Sequence, residues 1–130
     1  MRTVVILMDT LKREMMEVYN ESTWVRTPNI TNFSKEATTF DNHWVGSAPC
    51  MPARRDILTG RLNFLERSWG PIEPFDITLP KVLAEKDVFS HIVTDHPHYF
   101  RLGGEGYVQQ FTTWDFYRGQ EGDPWISRID

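Results

Sequence analysis

Apolar residues fall into short runs separated by turn formers, not into one long periodic stretch. Val4-Val5-Ile6-Leu7-Met8 is continuous and rich in β-branched side chains. It predicts a strand buried on both faces of a parallel sheet, with Asp9 at its carboxyl end. Residues 10–26 carry Leu11, Met15, Met16 and Val18 at near-helical spacing until Asn20-Glu21-Ser22 breaks the pattern, which suggests a short helix or an ordered loop. Thr27-Pro28-Asn29-Ile30 reads as a helix start, Thr27 capping and Pro28 in the first turn, with Ile30, Phe33 and Ala37 on one face. Residues 38–45 alternate well enough for a strand that Gly46-Ser47-Ala48-Pro49 ends.

A second helix start follows, with Pro52 inside its first turn, residues 53–59 as its body and Gly60 as its terminator. Cys50 then lies at or just before a helix N-terminus. Residues 61–77, with Gly70, Pro71 and Pro74, read as loop. Thr78 opens a third helix with Leu79, Val82 and Leu83 on its inner face, Lys86-Asp87 turns the chain, and residues 88–93 return as a strand. Helices between apolar strands predict an α/β fold: a mixed, mostly parallel sheet flanked by helices, with right-handed crossovers. Ligands of such sheets sit at the carboxyl ends of strands, which points to Asp9 and to Asp95-His96-Pro97-His98. The last third has no regular period. Its glycines punctuate an aromatic stretch over 107–125, including Tyr107, Phe111, Trp114, Phe116 and Tyr117, which is expected to pack against something outside these 130 residues.

Composition narrows the function. The chain's 130 residues, 40% hydrophobic, allow one domain with a modest core. Fourteen Lys and Arg stand against 18 Asp and Glu, a net charge of -4 without a basic stripe, so nucleic acid is set aside. No apolar run approaches the roughly 20 residues that span a bilayer, and the opening residues run straight into Asp9; no membrane or signal segment is expected. With one cysteine there is no internal disulfide, and a cytoplasmic location is the expectation.

Cys50 concentrates the chemistry. A thiol at a helix N-terminus feels the positive end of the macrodipole, which favours its anion and an oxyanionic ligand alike, and Arg54 and Arg55 add two positive charges within a turn. Cys50 is then either a buried turn cysteine or part of an anion site. A thiolate phosphatase would need an arginine after five intervening residues. That position is Asp56.

Cys50-Met51-Pro52-Ala53-Arg54 with Ile57-Leu58-Thr59-Gly60-Arg61 resembles the signature of the type I sulfatases, formylglycine-dependent enzymes of the alkaline phosphatase superfamily. Thr27-Pro28-Asn29-Ile30, then Phe40 and Asn42, are similar to further family segments. Val5-Ile6-Leu7-Met8-Asp9-Thr10-Leu11 looks like the family's opening strand with its metal-binding aspartate, and Thr78-Leu79 with Leu83 is similar to the helix leading into the sulfate-binding region. The resemblance runs from residue 3 to about 98.

It implies a sulfuric ester hydrolase. A sulfatase-maturing enzyme converts the motif cysteine, here Cys50, to formylglycine; the hydrated aldehyde attacks sulfur, and its second hydroxyl then expels sulfate. A divalent metal, usually calcium in the family, would polarise the sulfate oxygens, held by Asp9 and the converted Cys50. Thr10 stands where many members carry a second aspartate. Arg54 matches the arginine that orients the nucleophile and the anion. Where many members have Lys-Trp-His, this chain has Asp95-His96-Pro97-His98, so the lysine is missing, and His98, or else His96, is the candidate to meet the substrate as a general acid. His91 and His43 are read as structural.

The remaining family ligands would come from a later part of the enzyme. After residue 98 nothing matches them, and Asp123-Pro124 and Asp130 are poor candidates. Residues 1–130 are therefore read as the N-terminal part of a sulfatase catalytic domain, inactive alone and partnered by the missing C-terminal part. The substrate expected is a sulfated small molecule or saccharide. The competing readings are a phosphonate or phosphate ester hydrolase on the same scaffold, and an inactive truncated α/β module.

Overall fold

The computed structural model describes residues 2–124; Trp125 and Asp130 lie outside the described residues. The chain divides into two compact units, Met1–Trp44 and Val45–Asp130.

Among the described residues the first unit has one 3-10 turn, Arg13–Met15, and helix α1, Pro28–Ser34. Proline in the first turn of α1 removes an N–H that has no helical partner there. Thr27 precedes the helix as expected, but its hydroxyl caps nothing: Oγ1 accepts the Glu17 N–H at 3.0 Å. The Glu17 carboxylate accepts the Thr27 N–H at 3.0 Å and the Thr31 hydroxyl at 3.2 Å. These bonds, the Thr27 N–H first, hold Glu17 below the usual carboxylate range. The strand expected over residues 4–8 does not form, and Val4, Val5 and Ile6 are exposed. Residues 38–45 likewise form no strand, and Phe40 and Trp44 are exposed. A β-branched run becomes a strand only when a neighbouring backbone takes up its hydrogen bonds, and neither segment enters a ladder among the described residues.

The second unit is an incomplete α/β module. Helix α2, Cys50–Thr59, starts at Cys50 itself, three residues earlier than the expected body. Gly60 ends it in the left-handed region at φ 69°, its N–H donating to the Asp56 carbonyl at 2.8 Å. Residues 61–77 are mostly loop, with one 3-10 turn at Asn63–Leu65. Helix α3, Leu79–Ala84, follows Thr78, whose hydroxyl donates to Gln110 Oε1 at 3.0 Å instead of capping. The expected inner face of α3 is corrected: Leu79 and Val82 are exposed and Leu83 half-buried, while Pro80 is the buried residue.

The returning strand is shorter and later than expected. Strand β1, His91–Thr94, pairs in parallel with β2, Thr113–Phe116, in the register His91 with Thr113 through Thr94 with Phe116. The described sheet is this parallel pair, and the connection between its strands carries two 3-10 turns, Pro97–Phe100 and Val108–Gln110. The core consists of Met51 from α2 with Tyr99, Tyr107 and Val108 from that connection, flanked by Cys50, Leu58, Ile72 and Ile92. Burying Met51 fixes the inward face of α2 and sets its first residue beside the turn that follows β1. Among the described residues no helix is long and apolar enough to cross a membrane.

Candidate active site

The chain after β1 forms a turn that lies against Cys50 and Arg54 of α2. His96 N–H donates to Thr94 Oγ1 at 3.1 Å, and Pro97 opens the 3-10 turn that carries His98 and Tyr99. The turn is held from behind by Gly104, where any Cβ would collide with the His98 carbonyl oxygen. The half-buried Cys50 places its Sγ 3.6 Å from His98 Nδ1, a sulfur–imidazole hydrogen bond. Trp69 and His96 both meet the His98 ring edge-on, at centroid distances of 5.0 and 4.8 Å.

His96 is nearly inaccessible, 2% exposed. Its Nδ1 lies 2.5 Å from Glu121 Oε2, and its Nε2 is buried with no hydrogen-bond partner among the described residues. Burial pushes the His96 pKa down, aided by the Arg54 charge and opposed by Glu121. Arg54 lies one helical turn from Cys50 on the same side of α2. Its Nη1 donates to the Tyr99 hydroxyl at 3.1 Å, and its guanidinium lies 5.1 Å from the centre of the Tyr99 ring.

The second unit thus brings Cys50, Arg54, His96 and His98 to one place. Asp9 belongs to the first unit, where its Oδ1 accepts the Thr10 hydroxyl at 3.1 Å. Arg55 is a correction: its charge is not available at Cys50. It is buried against the Asp76 carboxylate and donates to the Pro71 carbonyl at 2.6 Å. Asp56, where a thiolate phosphatase would need arginine, accepts the Ser47 hydroxyl at 3.0 Å and the Asn63 N–H at 2.6 Å. His91 joins the strands, Nδ1 to Thr113 Oγ1 at 2.7 Å and Nε2 to Asp115 at 3.4 Å, and His43 is exposed in the first unit. Three residues of the site escape sequence reasoning: Tyr99 under Arg54, Trp69 against His98 and Glu121 on His96. The aromatic stretch singled out over 107–125 begins after Tyr99, and no signal in the sequence pointed to any of the three.

A family model described as Sulfatase matches residues 2–93. The chain belongs to the sulfatase family. No curated protein and no solved structure matches it. The match makes this chain a member of a hydrolase family and contains Asp9, Cys50 and Arg54, whereas His96 and His98 lie beyond its last matched residue. Sulfatases usually work with a metal, and calcium takes six to eight oxygen ligands. The grouping at Cys50 that can hold an ion is Cys50, His96 and His98, one sulfur and two imidazole nitrogens. One sulfur and two imidazoles do not make a calcium donor set; the calcium expectation rests instead on Asp9 and the converted Cys50.

Proposed function

We propose that this chain carries the nucleophile of a sulfuric ester hydrolase, with Cys50 as the position converted to formylglycine. The observation that carries the reading is Cys50 on the first turn of α2, within a Cys-Met-Pro-Ala-Arg motif, with His98 Nδ1 3.6 Å from its sulfur. Conversion is a two-electron oxidation of Cβ in which the C–S bond gives way to C=O, the oxidant being supplied through the sulfatase-maturing enzyme. The sulfur leaves as sulfide, with water supplying the oxygen or dioxygen serving as both oxidant and oxygen source. Cys50 stands on the first turn of the ten-residue helix α2, whose positive end would stabilise a tetrahedral oxyanion whether sulfur or phosphorus is at its centre. His98, beside Cys50, would hold or hand over a proton at the leaving oxygen, and its ring meets that of His96 edge-on. Arg54, set by Tyr99, supplies the fixed positive charge. Asp9 offers the carboxylate oxygen that a divalent cation such as calcium takes.

The substrate is a sulfated small molecule or saccharide. A phosphonate or phosphate ester is the second reading, favoured by Asp95 standing where many members of the family have a sulfate-binding lysine. The test is to produce the chain with a sulfatase-maturing enzyme and determine the mass of the peptide spanning Cys50. The expected result is a peptide lighter by the thiol-to-aldehyde change and trapped by a carbonyl reagent. An unchanged thiol, while the same maturase converts a control substrate, overturns the proposal. Rates on matched sulfate and phosphonate esters then separate the two substrate readings.

A further inference from the structure

We infer that Cys50, His96 and His98, before any conversion of Cys50, form a binding site for a thiophilic divalent cation of the zinc type. Three independent features of the second unit lead there. First, the ligand atoms of the three side chains lie within 4.8 Å of one another, and Cys50 Sγ is 3.6 Å from His98 Nδ1. Zinc–sulfur and zinc–nitrogen bonds of about 2.3 and 2.0–2.1 Å at tetrahedral angles put sulfur and nitrogen about 3.6 Å apart. The Cys50–His98 pair is already at that separation.

Second, His96 presents a buried Nε2 that has no hydrogen-bond partner among the described residues. A buried imidazole nitrogen left so is costly unless something fills the gap. Third, the other nitrogen of the same ring faces Glu121 Oε2 at 2.5 Å. Metal-binding histidines characteristically donate their second ring N–H to a carboxylate, which fixes the tautomer and leaves the lone pair on the metal-facing nitrogen. Glu121 is thus a positioning residue for His96.

Sulfur plus two imidazoles is a donor set for zinc, cobalt or copper and a poor one for calcium or magnesium. Three protein ligands leave a fourth tetrahedral position for water or an anion. Binding exchanges the Cys50 S–H bond for a sulfur–metal bond and releases one proton to solvent. Drawing the three atoms from within 4.8 Å to zinc-ligand separations requires a shift of about 1 Å. The site competes with conversion for the same sulfur but does not depend on it, so either idea can fail while the other stands.

The test uses the full chain produced without a maturase and titrated with Co2+ as the spectroscopic stand-in. The expected result is a sulfur-to-cobalt charge-transfer band with tetrahedral ligand-field bands, saturating at one equivalent and displaced by one equivalent of Zn2+. Cys50→Ser should abolish the charge-transfer band. Glu121→Gln, a near-isosteric change at an exposed position, should weaken cobalt binding by roughly 10–100-fold while keeping the band. No band at stoichiometric cobalt overturns the inference. So does a band whose affinity is unchanged in both Glu121→Gln and His98→Gln, because the thiolate would then be binding metal without the histidines.

Discussion

Arg55 and Asp76 face each other with side chains 4% and 10% exposed, and the same carboxylate also accepts the Arg67 guanidinium at 3.2 Å and the Glu73 N–H at 2.7 Å. Removing one member of a buried pair leaves an uncompensated charge, whereas the intact pair contributes little net stability. Asp76→Ala should therefore cost about 3–5 kcal/mol in urea unfolding, and the double change Arg55→Met with Asp76→Ala should cost less than that single change. A second prediction concerns Tyr107, whose buried hydroxyl is within hydrogen-bonding reach of the Gly70 and Met51 carbonyls at 3.1 and 3.3 Å. Burial raises its pKa from 10.0 to about 12, against the pull of Arg55. Below pH 10 both states keep the proton; above it the unfolded chain ionises first, so stability falls as pH rises from 10 towards 12. The loss should reach on the order of 2–3 kcal/mol. Tyr107→Phe should flatten that alkaline fall, and an equally steep fall in the variant would show that another group drives it. Cys50 and Arg54 were legible because their motif is contiguous, whereas Arg55 was misread because its partner lies 21 residues further along the chain.

At the scale of elements, local signals read well and non-local ones did not. Both ends of α2 are written in neighbouring residues, Pro52 in its first turn and Gly60 beyond its last. Gly60 has φ 69° with nothing within 4 Å of where a Cβ would stand, so a substitution there meets backbone strain alone. Gly60→Ala should destabilise by about 1 kcal/mol, and Gly60→Asn by less, since asparagine tolerates the left-handed region. A thermal melt of the three proteins checks the order, and an alanine variant as stable as the parent would mean that the helix ends elsewhere in solution. The strand-end rule also pointed to the turn after β1, and the structure brings that turn's His96 and His98 together with Cys50. Strand β2 was missed: Thr113-Trp114-Asp115-Phe116 alternates and is β-prone, but four residues amid glycines carry too little pattern to be told from loop. The shortfall at residues 4–8 and 38–45 has the same origin, because a strand is decided by the backbone beside it and not by its own composition.

For the whole molecule, the expected class of fold is present while the expected burial is uneven. The second unit's core holds Met51, Tyr99, Tyr107 and Val108, whereas in the first unit Val5 and Ile6 remain 78% and 75% exposed. The hydrophobic effect rewards only surface removed from water, so the longest apolar run in the sequence contributes little to stability and a single buried methionine contributes much. Met51→Ala should cost about 2–5 kcal/mol, the lost transfer energy plus a cavity between α2 and Tyr107. Ile6→Ser should fall within about 0.5 kcal/mol of the parent, as a surface change does. The chain should also bind a hydrophobic dye under native conditions, less so after Ile6→Ser, because residues 4–8 form a continuous exposed apolar stretch. Urea unfolding of both variants decides the matter. If Ile6→Ser proved as costly as Met51→Ala and dye binding were absent, residues 4–8 would be buried in solution, and the opening run would be a strand after all.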